Sequence, residues 1–154
     1  MNTVQIWETT STSLENTLEL AAQVGRRLHG GEVIELVGDL GSGKTAFVRG
    51  LAQGLGVENQ VHSPSFTLSN EYQAGKCTLH HFDFYRLAQP GIMRQELAEV
   101  LDDPQAVTVI EWPEIVENIL PADRLTINLR ASGETNRQLV FKYPPDLDYL
   151  IPKT

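Results

Sequence analysis

The residues with the densest chemistry in this sequence are Gly38–Thr45, reading GDLGSGKT. Gly38, Gly43, Lys44 and Thr45 meet the pattern G-x-x-x-x-G-K-[ST], in which each residue type has a physical reason. Glycines at 38, 41 and 43 permit backbone angles closed to other residues and let N–H groups come close to anionic oxygens. A helix starting directly behind them aims its unpaired N–H groups, and the positive end of its dipole, at the same anion. Lys44 is then placed to bridge the β- and γ-phosphates of a nucleoside triphosphate, and the Thr45 hydroxyl to ligate Mg²⁺. The expected nucleotide contacts are Gly38, Asp39, Leu40, Gly41, Ser42, Gly43, Lys44, Thr45 and Ala46.

A magnesium site also needs an acid at the end of a nearby buried strand. Two segments offer one: Val107-Thr108-Val109-Ile110-Glu111 and His80-His81-Phe82-Asp83. One acid would hold the metal, directly or through water, and the other would orient the attacking water. The sequence does not assign the two roles. His80, His81 and Asp83 together raise a transition-metal reading, but neighbours on a strand point to opposite faces, so the two histidines cannot easily share an ion. Guanine-specific enzymes of this kind usually carry Asn-Lys-x-Asp. None of Lys44, Lys76, Lys142 and Lys153 follows an asparagine, which favours ATP.

Two rival functions use the same loop. A small-molecule kinase would add an arginine-rich lid, for which Arg124, Arg130 and Arg137 are candidates, although they fall on a hairpin pattern and read as surface residues. A nucleotide-dependent interaction switch would bind the triphosphate without turnover.

The elements that must position these residues follow from periodicity. Leu14, Leu18, Ala21, Ala22, Val24 and Leu28 form an apolar stripe that predicts a helix over 14–29. Thr12 and Glu15 have capping-box spacing at its start. Arg26, Arg27 and His29 sit in its last turn, before Gly30-Gly31. Val33–Val37 predicts a buried strand before the loop, and 44–55 a helix after it, with Gly50 and Gly54 marking close packing against a neighbour. Residues 66–73 and 77–85 read as strands around the turn Ala74-Gly75-Lys76, 92–101 as a short helix, and Val107–Ile110 as another buried strand. Leu125–Leu129 and Leu139–Tyr143 form a C-terminal hairpin. The expected class is α/β: a phosphate-loop sheet with helices on its faces, parallel core strands and antiparallel hairpins, in one domain spanning 1–154.

With 154 residues, 41% of them hydrophobic, the chain suits one core. Its single cysteine, Cys77, excludes an internal disulfide and a cysteine-based zinc site. No apolar run approaches a membrane span, and the N-terminus lacks a secretory pattern, so the cytoplasm is the expected location. The net charge of −8 repels a phosphate backbone. From Gln95 to Asp123 eight acidic residues occur without a lysine or arginine, a poor surface for DNA or RNA that reads first as a solvated acidic face and second as a surface for a basic protein.

Four motifs then occur together: GDLGSGKT, His62-Ser63-Pro64-Ser65-Phe66, HFDFYRL at His81–Leu87, and Glu111-Trp112-Pro113-Glu114. In combination they closely resemble the bacterial TsaE family, small ATPases needed to make threonylcarbamoyladenosine next to the anticodon of certain tRNAs. The resemblance runs from the first helix through the C-terminal hairpin. It implies that Lys44 and Thr45 are the phosphate lysine and the magnesium threonine, and that Glu111 is the second magnesium ligand. Asp83 would be the acid needed for hydrolysis, and Ser63-Pro64-Ser65 a switch closing over the γ-phosphate. It also implies ATP and Mg²⁺ as cofactors and the proteins TsaD and TsaB as partners, whose complex ATP hydrolysis resets. Contact with tRNA would come only through those partners. Departures are confined to Ser42 for the usual alanine, Ala46 for a threonine, SPSF for SPTF or SPTY, and Phe84 for a leucine. The residues holding adenine are not resolved by the motifs, since the start of the first helix and the turn around Gly133 match only loosely.

Overall fold

The computed structural model describes residues 3–58, 69–85 and 91–153. One sheet of seven strands runs through them: β1 (Gln5–Ser11), β2 (Val33–Val37), β3 (Ser69–Gln73), β4 (Thr78–Asp83), β5 (Ala106–Glu111), β6 (Leu125–Ala131) and β7 (Arg137–Tyr143), in the spatial order β1-β7-β6-β2-β5-β4-β3. The central pairs β6/β2, β2/β5 and β5/β4 are parallel, while β1/β7, β7/β6 and β4/β3 are antiparallel. This is the expected α/β class, with a parallel centre flanked by hairpin-type pairs.

Strand parity sorts the core into two layers. Ile34, Leu36, Val107, Val109, Leu125 and Ile127 face α1 (Leu14–Arg27) and α2 (Lys44–Leu55). Val33, Phe82 and Ile110 face the opposite way, toward Leu97 of α3 (Gly91–Leu101) and Val116 of the 3₁₀ helix Pro113–Ile119. β5 is buried on both faces, which explains why it reads as an unbroken apolar run.

The helix pair is locked by missing side chains. A Cβ at Gly54 would lie 2.2 Å from the Ala22 carbonyl oxygen, one at Gly25 2.3 Å from that of Leu51, and one at Gly50 2.5 Å from Ala21 Cβ. The close packing read from Gly50 and Gly54 is therefore backbone against backbone between α1 and α2. Since α2 begins at the phosphate loop, this contact also fixes the loop's outgoing direction.

Two readings need correction. The N-cap of α1 is Ser13, whose side chain accepts from Asn16 N at 3.0 Å, rather than Thr12 paired with Glu15. Asn16 Oδ1 in turn accepts from Thr12 N, the residue before the cap, at 3.1 Å. The strand β1 has no counterpart in the sequence reading. Its residues are mostly exposed and polar, and Trp7 is its one large side chain packed inward, edge-on to Phe141 at 5.2 Å between ring centroids. An edge strand that buries one large side chain leaves almost no alternation to detect.

Candidate active site

The chain leaves β2 at Val37 and enters α2 at Lys44 through a loop that two glycines make possible. Gly41 (φ 80°) and Gly43 (φ 107°) are left-handed, a region that strongly favours glycine. Gly38 has a different reason: a Cβ there would lie 2.5 Å from both the Leu129 carbonyl oxygen and Ser42 Oγ. Gly43 caps α2 without any side-chain bond, so the helix presents its first N–H groups to the cleft in front of the loop. That cleft holds about 270 Å³ and is lined by Gly41, Gly43, Lys44, Thr45, Asp83, Glu111 and Trp112 among others.

The opposite wall comes from two parallel strands in register. Asp83 at the end of β4 stands beside Glu111 at the end of β5, and His81 beside Val109. Alternation puts His81, Asp83 and Glu111 on the face covered by α2, because Phe82 and Ile110 serve the other layer. Asp83 Oδ1 accepts from Tyr85 N at 3.0 Å. Burial pushes its carboxyl above the ordinary range and the neighbouring Glu111 adds to this, while the Tyr85 hydrogen bond, His81 and Lys44 oppose. Glu111 is buried, and His81 Nε2 lies 2.5 Å from its Oε2. His80 turns away, toward Glu71, so the two histidines do not share a site.

Lys44 sits between the walls. Its ammonium donates to the Gly38 carbonyl and stands 3.7 Å from the centre of the Trp112 ring. Burial lowers its pKa, and Glu111, Asp83, Asp39 and Glu114 pull it back up. Trp112 carries the only positive φ at a non-glycine residue among those described (φ 56°, ψ 60°). Such a conformation in a bulky residue costs about 1–3 kcal/mol and clusters at functional sites. It turns the ring over Lys44 and against Tyr85, 4.9 Å away between centroids.

A second cavity of about 180 Å³ adjoins the first, sharing Gly43 and Ala46 with it, and is otherwise lined by Leu14, Thr17, Glu134, Thr135 and Arg137. Sequence reasoning placed Arg137 on the surface with Arg124 and Arg130; the structure puts its Nη2 3.4 Å from the Gly41 carbonyl, against the loop. Arg124 bonds Glu35 and Glu117, and Arg130 bonds Gln138, so the three do not converge as a lid. The signal for Arg137 was its place just after the hairpin turn, which becomes informative only once β6 is known to lie beside β2. Ser63-Pro64-Ser65 and Arg86 lie outside the described residues.

The donors suit a hard divalent ion. Thr45, Glu111 and Asp83 offer oxygen only, and among the described residues no three His, Cys, Asp or Glu side chains form a metal cage. Mg²⁺ needs no such cage, since it keeps waters and takes one or two protein ligands together with phosphate oxygens.

The sequence profile described as "Threonylcarbamoyl adenosine biosynthesis protein TsaE" matches residues 11–139, a span holding the loop, both carboxylates and Trp112. The chain belongs to the TsaE family. Among its TsaE relatives, the tRNA threonylcarbamoyladenosine biosynthesis protein TsaE of Treponema pallidum is 42% identical over 129 residues, covering 84% of this chain and 95% of that protein. The TsaE protein of Bacillus subtilis is 37% identical over 130 residues, covering 82% and 79%. The crystal structure of B. subtilis YdiB superposes with a TM-score of 0.73 at 32% identity, over 95% of this chain and 89% of that one. The chain thus shares its fold with YdiB over most of its length. No helix among its described residues is long and apolar enough to cross a membrane.

Proposed function

We propose that this protein is a magnesium-dependent ATPase of tRNA threonylcarbamoyladenosine biosynthesis, acting in the cytoplasm, whose hydrolysis of ATP resets a complex of TsaD and TsaB. Family membership supports the pathway. The observation that supports the chemistry is Lys44 standing at the start of α2 between the phosphate loop and the paired carboxylates Asp83 and Glu111.

The loop N–H groups and the α2 terminus would bind the phosphates, with Lys44 leaving the Gly38 carbonyl for the β- and γ-oxygens. Thr45 and Glu111 would hold Mg²⁺, which when bound neutralises charge on the transferring phosphoryl group. Asp83, whose burial raises its affinity for a proton, is suited to orient the attacking water and accept its proton. Trp112 and Tyr85 close the carboxylate side against bulk water. The adjoining cavity between Leu14, Thr17 and Arg137 is the place for the adenine and ribose. With a charge of −8, contact with tRNA is left to the partners.

Among the described residues the three arginines considered for a kinase lid do not form one: Arg124 bonds Glu35 and Glu117, Arg130 bonds Gln138, and only Arg137 lies against the loop. The test is ATP turnover measured alone and with TsaD–TsaB. Turnover should be slow alone and rise with the complex; equal rates would sink the proposal. Intact ATP under both conditions would leave a binding switch instead.

A further inference from the structure

His81 is fully buried, and among the described residues its ring makes one hydrogen bond, from Nε2 to Glu111 Oε2 at 2.5 Å, while Nδ1 has no partner. A core histidine kept only for packing normally satisfies its ring nitrogens with backbone groups or water, because an unpaired buried polar atom costs about 1–3 kcal/mol. Here the ring's polar capacity is spent on a single carboxylate. Glu111 itself lines the cleft, and its strand is held on both sides, by β2 at Leu36 and by β4 at Asp83. The backbone is therefore fixed, and the freedom left to Glu111 is that of its side chain.

We propose that His81 is a positioning residue for the metal carboxylate: it donates from Nε2 to Glu111 Oε2, fixes the carboxylate's rotation, and leaves the other oxygen for the divalent ion. The geometry is encoded by parity. Residues 81 and 83 on β4 share a face, so one strand supplies both the acid beside the metal and the donor behind it. With Oε2 held on this donor, the carboxylate has no rotation left that would carry Oε2 into the cleft in place of the other oxygen. The inference rests on Glu111 being the magnesium carboxylate.

The experiment measures Mn²⁺ affinity by EPR in the complex of the full chain with a non-hydrolysable ATP analogue. Loss of a partner that orients a metal ligand weakens metal binding about 10- to 100-fold, so His81→Phe should show at least the lower figure. His81→Gln, whose amide can donate from a similar position, should return to within about threefold of the parent. Affinity for the analogue without metal should not change. No loss in His81→Phe, or equal losses in both variants, overturns the assignment.

Should His81→Phe fail to fold, the unmodified chain still decides. Side-chain ¹⁵N NMR should place a proton on His81 Nε2, and that signal should move when Mg²⁺ is added to the nucleotide complex; a proton on Nδ1 alone, or a stationary signal, overturns it. Glu111→Ala separates the two claims. If Glu111→Ala keeps full metal affinity, the reading of Glu111 falls and this inference with it. If Glu111→Ala loses affinity while His81→Phe does not, only the role of His81 falls.

Discussion

The two walls of the cleft are built in different ways. The phosphate-loop wall is one continuous piece of chain, from Gly38 to Ala46, whose shape follows from two left-handed glycines and a helix start. The carboxylate wall is assembled from strands whose meeting side chains, His81 and Glu111, are thirty residues apart. Its geometry depends on the register of β4 against β5 and on the backbone conformation of Trp112. A wall made locally can bind without the rest of the molecule being perfect. A wall made by register is correct only when the whole sheet is. Damage to the first should therefore appear mainly in binding, and damage to the second mainly in turnover.

The strongest test of that contrast is Glu111→Ala. It should lower magnesium-dependent turnover by about 100-fold or more, because the metal's charge stabilisation is worth several kcal/mol, while triphosphate binding without metal persists. Retained turnover would move the metal role to Asp83. Lys44→Ala should do the opposite, weakening triphosphate affinity by about 10- to 100-fold through loss of a charge-assisted contact. Calorimetric titration and a phosphate-release assay on both variants check the pair. If the two show the same balance of affinity and turnover, the division between the walls is wrong.

The same contrast explains what could be read from the sequence. Val33–Val37, the loop and α2 are consecutive, so their pattern is local and the structure returns them at the expected bounds. Glu111 and Asp83 were visible as acids ending buried runs, but their adjacency required the β4/β5 register, which no short window contains. Trp112 gave no local hint of its left-handed backbone, and Arg137 looked like a surface residue until β6 placed the hairpin beside β2. β1 was invisible because its partner β7 lies at the far end of the chain and Trp7 is its one large side chain anchored inward.

An intermediate effect should come from Gly54→Ala, which leaves every site residue in place. The added Cβ would meet the Ala22 carbonyl oxygen at 2.2 Å, and backbone cannot rotate away as a side chain can. Overpacking of this kind costs about 1–3 kcal/mol, against a helix-propensity gain of about 1 kcal/mol. Urea unfolding should show a net loss. Because α2 carries the loop and Thr45, the variant should also weaken nucleotide affinity while His81, Asp83 and Glu111 keep their β4/β5 register, and a change in the His81–Glu111 contact would mean that the walls are coupled through α2.

Asp83 offers a pH readout on the other wall. Its pKa is raised in the folded chain, chiefly by burial, so folding favours the protonated carboxyl. The stability from that preference is fully present below the unfolded value of about 3.9, and it is lost as pH rises through the raised one. Asp83→Asn should therefore have a higher melting midpoint than the parent at neutral pH, with the advantage shrinking under acid, while its turnover falls. Thermal melts between pH 4 and pH 8 decide it. An advantage that grows toward low pH would reverse the sign of the burial argument.

The smallest effect sharpens the comparison from inside the local wall. Ser42 is buried, and among the described residues its hydroxyl oxygen has no hydrogen-bond partner, packed as it is against Gly38. His81 Nδ1 is the corresponding unpaired atom in the opposite wall, but there the same ring carries a bond to Glu111. Ser42 has no such second contact to offset its burial. Removing an unpaired buried hydroxyl without changing the backbone should stabilise the fold by about 1 kcal/mol, the lower end of the penalty for an unsatisfied polar group. Ser42→Ala also restores the residue that the family resemblance leads one to expect at this position. A rise in the urea midpoint at unchanged slope would identify the hydroxyl as a local cost of the loop. A fall would mean that Ser42 Oγ bonds within the loop in solution, and that the local wall is held by more than its glycines and its helix.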